Sequence, residues 1–226
     1  MKSEGQCLQG TDNLVLRFPP AAVTANLPEV ARYAGGSRYR PDEKTRKVIA
    51  EILSLASQLI RPGAVYRLHR ISSLDEEGRA ELAGSLRIQL PAGIGLNEKS
   101  LLGAVVITLG AALEEEVSTL NERGEIVRAL YLDAAGSALL QGLDALVEGE
   151  LKKEADKRGL NLVCRQGPGL NHVSLELQRD LFQLVDPAPL GVTLSEQLVI
   201  RPAKSVSFFV FLSDSPHRRE KYDCAS

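Results

Sequence analysis

The sequence predicts an α+β fold, a mixed and largely antiparallel twisted sheet with flanking helices, built as one domain over residues 1–226. Three observations lead there. Short strand-like runs and longer amphipathic runs follow one another without a strict βαβ rhythm. Two apolar runs near the C-terminus, Glu196–Ile200 and Ser205–Leu212, are separated only by Arg201-Pro202-Ala203-Lys204, which suits adjacent strands. The chain is 44% hydrophobic and 25% charged with no long Pro/Ser/Gly-rich linker, so its length goes into one core.

Taken in order, Leu14-Val15-Leu16-Arg17-Phe18 is rich in strand formers and stopped by Pro19-Pro20, which predicts an opening strand. Pro41-Asp42-Glu43 has the preset φ and negative charge of a helix start. Val48, Ile52, Leu55 and Leu59 continue it on one face until Pro62-Gly63. Strands are expected at Val65–Ile71, Leu86–Leu90 and Val105–Thr108, separated by the acidic stretch Asp75–Glu77 and the turn region Pro91–Gly95. Leu113, Val117 and Leu120 among Glu114-Glu115-Glu116 predict a helix over Ala111–Arg123 closed by Gly124, with the glutamates as its charged face. The longest helix is expected from about Asp133 to Arg158. Leu139, Leu143, Val147 and Leu151 give it one apolar face, basic residues fill its last turns, and Gly159 ends it. Ala134-Ala135-Gly136-Ser137 near its start admit a close neighbour, and Asp133 reads either as its cap or as a ligand contact. A strand at Leu160–Arg165, a Gly-Pro-Gly turn and a helix over Ser174–Val185 precede the two final strands.

Charge and motif content exclude several classes. With 27 basic and 29 acidic residues interspersed, the net charge of -2 gives no footprint for nucleic acid or an anionic membrane. The longest apolar run, Leu101–Leu109, is far short of the roughly 20 residues that span a bilayer, and Met1–Gly10 lacks a signal-peptide core. Cys7, Cys164 and Cys224 are widely spaced with no CxxC, so they read as reduced thiols in a cytoplasmic protein. His69, His172 and His217 stand apart from one another and from the cysteines, so no metal site is expected. There is no G-x-S-x-G, no H-E-x-x-H and no nucleophile–base pair, hence no catalytic residue in the acid–base sense.

Five segments in order carry a resemblance. They are Arg32-Tyr33-Ala34-Gly35-Gly36 with Arg40-Pro41-Asp42-Glu43; Val106–Gly110 running on through Leu113–Val117; Leu132-Asp133-Ala134-Ala135-Gly136-Ser137; Arg165-Gln166-Gly167-Pro168-Gly169; and Gly191–Glu196 ending in Pro202–Ser207. Together they resemble the activation domain of cobalamin-dependent methionine synthase and its stand-alone relatives. That family places S-adenosylmethionine (AdoMet) beside a cobalamin carried by a partner, and the resemblance implies both cofactors here.

AdoMet presents a carboxylate, an ammonium, a sulfonium and an adenosine. A planar guanidinium holds a carboxylate through paired hydrogen bonds, and the resemblance assigns that role to Arg165, which by itself also reads as a surface arginine ending a strand. Gly167, Pro168 and Gly169 would bring main chain to the adenosine. Glu148 is the expected acceptor for the ammonium, against a plain place on the solvated helix face. The loop carrying Arg201, Lys204 and Ser205 would meet the ligand or the corrinoid's amides and phosphate, or would only set a strand register. Two departures stand out. Leu170 occupies the position of a family aromatic, with His172 two residues on as a substitute contact or a solvated loop residue, and Lys221–Ser226 holds one cysteine where relatives have a cysteine-rich tail.

The resemblance thus implies an activation subunit that supports reductive methylation of cob(II)alamin on a methionine synthase acting in trans, with an electron from flavodoxin or another reductant. No D-x-H-x-x-G segment is present, which motivates the trans arrangement. The alternatives are a reactivation factor for another corrinoid methyltransferase and a scaffold that no longer uses AdoMet, the latter motivated by Leu170.

Overall fold

The computed structural model describes residues 12–74, 79–82, 86–89, 96–97, 99–170 and 173–214. The readings made on Met1–Gly10, Asp75–Glu77, Pro91–Gly95, Cys7, Cys224, His172, His217 and the C-terminal tail lie outside them. The elements are β1 (Leu14–Arg17), α1 (Leu27–Gly35), α2 (Glu43–Leu59), β2 (Gly63–Leu74), β3 (Arg79–Leu82), β4 (Leu86–Gln89), β5 (Leu101–Thr108), α3 (Ala112–Glu122), α4 (Ile126–Lys157), β6 (Asn161–Gln166), α5 (Leu177–Leu184), β7 (Thr193–Leu194), β8 (Ile200–Arg201) and β9 (Ser205–Ser213).

The α+β expectation holds. The main sheet runs β4-β3-β2-β5-β9-β6, with β1 beside the first half of β2. Each pairing within it is antiparallel. Side chains alternate across the central strands. Tyr66, Val105, Ile107, Phe208 and Val210 face a core shared with α1, α2, α3 and α4. Val65, Val106, Phe209 and Phe211 face a second core beneath α5. Because both faces are covered, β5 is buried almost throughout and reads in sequence as an unbroken apolar run.

Local chemistry sets the helix ends. Asp42 caps α2 by accepting from Thr45 N at 2.8 Å, as its place before Glu43 predicts. Helix α1, which has no counterpart in the sequence reading, is fixed by a capping box: Asn26 Oδ1 accepts from Glu29 N at 2.9 Å, and Glu29 accepts from Asn26 N at 3.0 Å. After α3, Gly124 takes φ +76° and Glu125 N returns to Leu120 O at 2.9 Å, so the chain reverses straight into α4.

Four expectations need correction. Helix α4 starts at Ile126, seven residues ahead of the expected Asp133. Ile126, Val127 and Leu130 in its first turns are exposed, so no buried stripe marks them in the sequence. Asp133 is therefore not a cap but a mid-helix carboxylate, 2.8 Å from Lys204 Nζ. The predicted strand Glu196–Ile200 shrinks to β8, which pairs with β7 in a separate two-stranded ribbon instead of running beside β9. Leu198 sits at φ +63° and Val199 N donates to Ser195 Oγ at 3.1 Å, a local turn that interrupts extension. Cys164 is disulfide-bonded rather than a free thiol. Cysteine usage therefore gives no support for a reducing compartment.

Helix α4, about 48 Å long at 1.5 Å per residue, crosses the sheet and supplies more of the first core than any other single element. Its small residues admit close neighbours, as expected. A Cβ at Gly136 would meet Leu113 Cδ2 at 2.8 Å and Lys204 Cε at 3.0 Å, and one at Gly142 would come within 2.2 Å of Thr24 O. No helix among the described residues is long and apolar enough to cross a membrane.

Candidate functional site

The site is built where α4 passes over β6, the edge strand of the main sheet. Arg165 pairs across the ladder with Val210, so its side chain shares the α4 face with Phe208 and Val210. Its guanidinium carbon stands 3.5 Å from the centroid of the Phe208 ring, and Nη1 donates to Asp144 Oδ2 of α4 at 2.6 Å. Both partners are about three-quarters buried, with side-chain exposures of 20% and 28%. The second carboxylate oxygen, Asp144 Oδ1, is buried with no hydrogen-bond partner among the described residues. A guanidinium has five N–H donors. Seating it flat on a ring and bonding one nitrogen to Asp144 fixes its plane.

The turn after β6 continues this edge. Leu170 N donates to Gly167 O at 3.1 Å, Gly169 N to Val173 O at 3.0 Å, and Val173 N to Leu170 O at 2.8 Å, closing a compact loop. Gly169 holds φ +81°, a conformation that favours glycine there. Leu170 is 62% exposed at the tip, where it offers an apolar surface but no hydroxyl. Glu148 lies one helical turn beyond Asp144 on α4, half-buried and ion-paired with Lys152. Arg165, Gly167, Pro168 and Gly169 are thus gathered at the end of β6 and in the turn after it.

Arg201 and Ser205 belong to other strands. Arg201 is exposed on the β7–β8 ribbon, opposite Thr193. Ser205 is buried and its hydroxyl donates to Thr108 Oγ1 at 2.8 Å, on the face of β9 that turns away from Arg165. Lys204, between them, points to the α4 face and bonds Ser137 Oγ at 2.9 Å as well as Asp133. Glu114 accepts from Ala203 N, so one of the three glutamates on α3 anchors this loop while Glu115 stays exposed. Asp144 and Phe208 are the site residues that sequence reasoning missed. An apolar helix stripe broken by a carboxylate at Asp144 was the one signal for the first, and nothing local marked the second.

No family model matches the sequence, and no curated protein matches it by sequence comparison. Shape gives a different result. A crystal structure of the MetH reactivation domain bound to AdoHcy matches with a TM-score of 0.66, covering 95% of this chain and 81% of that chain at 12% sequence identity. The chain has the MetH reactivation-domain fold. The five resembling segments therefore sit on the fold they imply, and the sheet edge that carries Arg165 belongs to that framework. Ligand contacts depend on side chains, and those are argued next from the site itself.

Proposed function

We propose that this chain binds AdoMet at the Arg165 edge and acts in trans as the activation subunit of a cobalamin-dependent methionine synthase. The supporting observation is a partly buried guanidinium, stacked on Phe208 and held by Asp144, beside the Gly167–Gly169 turn of a fold whose solved counterpart binds AdoHcy. In this reading Arg165 takes the ligand carboxylate, Glu148 takes its ammonium, and the turn with Leu170 packs against the adenosine.

AdoMet, when bound, supplies the methyl group that reaches a reduced cobalt on the partner, while flavodoxin or another reductant provides the electron. The chain's own part is positional. No nucleophile or general base is needed, because orienting a reactive sulfonium toward an acceptor lowers the barrier by proximity alone. A cytoplasmic setting goes with that partnership.

Calorimetric titration of AdoMet into the wild-type chain and into Arg165→Ala tests the site. Saturable binding that Arg165→Ala abolishes, and that Arg165→Lys only partly restores, is the expected result. Adding the chain to a methionine synthase that lacks this domain, with AdoMet and a reductant, tests the partnership: recovery of methylated cobalamin is expected. Recovery with a different corrinoid methyltransferase only would move the assignment to that enzyme. A scaffold role is favoured by one observation, the exposed Leu170 in place of a ligand-facing aromatic. It requires that wild-type protein show no AdoMet heat at millimolar ligand, an order of affinity worth about 4 kcal/mol.

A further inference from the structure

A second cleft opens on the α4 face at the opposite end of the strands. Its volume is about 440 Å³, and Arg70, Lys99, Leu101, Arg158, Leu160 and Asp214 line it together with Gly159. The register places it: Arg70 pairs with Leu101, and Leu101 with Leu212, at the ends of β2, β5 and β9 remote from Thr108 and Ser205. Leu160 precedes Arg165 by roughly 16 Å of extended strand, and Asp144 precedes Arg158 by roughly 20 Å of helix, so the cleft is distinct from the AdoMet edge.

Three cations from separate segments of the chain, Arg70, Lys99 and Arg158, line the cleft together with one carboxylate, Asp214. Arg70 is exposed on β2 and its side chain has no hydrogen bond or ion pair with a described residue. Lys99 reaches Asp214 only at 3.9 Å and is 80% exposed. Arg158 gives Nε and Nη2 to Glu154, at 3.0 and 2.7 Å, which leaves Nη1 unused, and Glu154 is also neutralised by Lys157 at 3.3 Å. The cleft lies at the negative end of α4, where Arg158 and Lys157 supply the compensating charge. Gly159 N closes on Asp156 O and Leu160 N on Ala155 O, both at 3.0 Å, and these bonds occupy terminal carbonyls. The floor, Leu101 and Leu160, is apolar.

We propose that this cleft binds a phosphate monoester carried on an apolar or aromatic body. A carboxylate is served by one guanidinium. A phosphate presents three oxygens and close to two charges, which matches donors converging from β2, from the turn at Lys99 and from the end of α4, while the leucine floor takes the body of the ligand. This assignment stands independently of AdoMet binding.

The test is an amide chemical-shift titration of the full chain with phenyl phosphate, inorganic phosphate and benzoate at constant ionic strength. Phenyl phosphate should bind saturably, more tightly than either of the others, and should shift the amides of Arg70, Leu101, Gly159 and Leu160. Arg70→Ala should weaken it by about tenfold, the scale of one charge-assisted bond pair, while Arg123→Ala on the far surface should leave it unchanged. Because Arg70 is exposed, its truncation leaves the fold in place, which circular dichroism verifies. Benzoate binding as tightly as phenyl phosphate, equal losses in Arg70→Ala and Arg123→Ala, or shifts scattered away from the cleft would each overturn the assignment.

Discussion

Arg165 and Asp144 join β6 to α4 through a 2.6 Å contact between a guanidinium laid on Phe208 and a carboxylate whose other oxygen is buried without a partner. The pair does two jobs at once, since it ties an edge strand to the main helix and sets the plane of the candidate ligand-binding arginine. Asp144→Ala should destabilise the chain by about 1–3 kcal/mol, because it removes a 2.6 Å charge-assisted hydrogen bond from a partly buried cation. A double-mutant cycle with Arg165→Ala, read by urea unfolding, should show that the two losses are not additive.

Two glycines of α4 should respond in opposite directions to the same substitution. At Gly142 a Cβ would press into Thr24 O at 2.2 Å, whereas at Gly149 nothing lies within 4 Å. Gly149→Ala should stabilise by up to about 1 kcal/mol through helix propensity, and Gly142→Ala should destabilise by about 2 kcal/mol despite the same gain. Thermal melts of the two variants decide it; equal shifts would contradict the close approach of α4 to the segment at Thr24.

His69 predicts a pH dependence. It is 4% exposed and donates Nε2–H to Leu184 O at 2.9 Å. Burial holds its pKa below the usual 6.5; the Leu184 bond works the other way, and the charge of Arg67 adds to the lowering. A lowered folded-state value means that the unfolded chain binds the proton more readily. The neutral imidazole's contribution is therefore intact above about pH 6.5 and is lost as pH falls through the window toward the folded-state value. Unfolding free energy measured between pH 7.5 and 5, at roughly half-unit steps, should fall more steeply for wild type than for His69→Gln.

Ser207 offers a gain. Its hydroxyl is buried on the α5 side of β9 with no partner among the described residues. Ser207→Ala removes an unsatisfied polar atom and should raise stability by about 1 kcal/mol, seen as a higher melting temperature. A lower one would mean that the hydroxyl is satisfied in solution.

Much of the framework was legible in the sequence because it rests on local rules. Asp42 before a periodic apolar face, Gly124 and Gly159 after helices, and the unbroken run of β5 each mark an element without reference to the rest of the chain. Helix α1 carried a legible signal too, the Asn26–Glu29 capping box, which went unread. The first turns of α4 had none, since their apolar residues face outward. At the site, Arg165 and the Gly167–Gly169 turn were marked by motif position. Asp144 lies 21 residues from Arg165, so their contact is a product of packing.

The sequence by itself determined where the chain turns, which residues cap its helices, and that an arginine precedes a glycine-bounded turn at the end of a strand. Only the tertiary structure decided which face that arginine occupies. Along a regular strand, Leu162 and Cys164 would point the same way and Arg165 the other. The irregularity between Leu162 and Cys164 instead puts Leu162 in the α4 core and Cys164 in the α5 core, which returns Arg165 to the α4 side opposite Val210. Ser205, an odd number of residues before Phe208 on a regular stretch of β9, falls on the other face. A one-residue shift in register exchanges the faces of a strand, and that shift is set by pairing with β9 and by the helix lying across it.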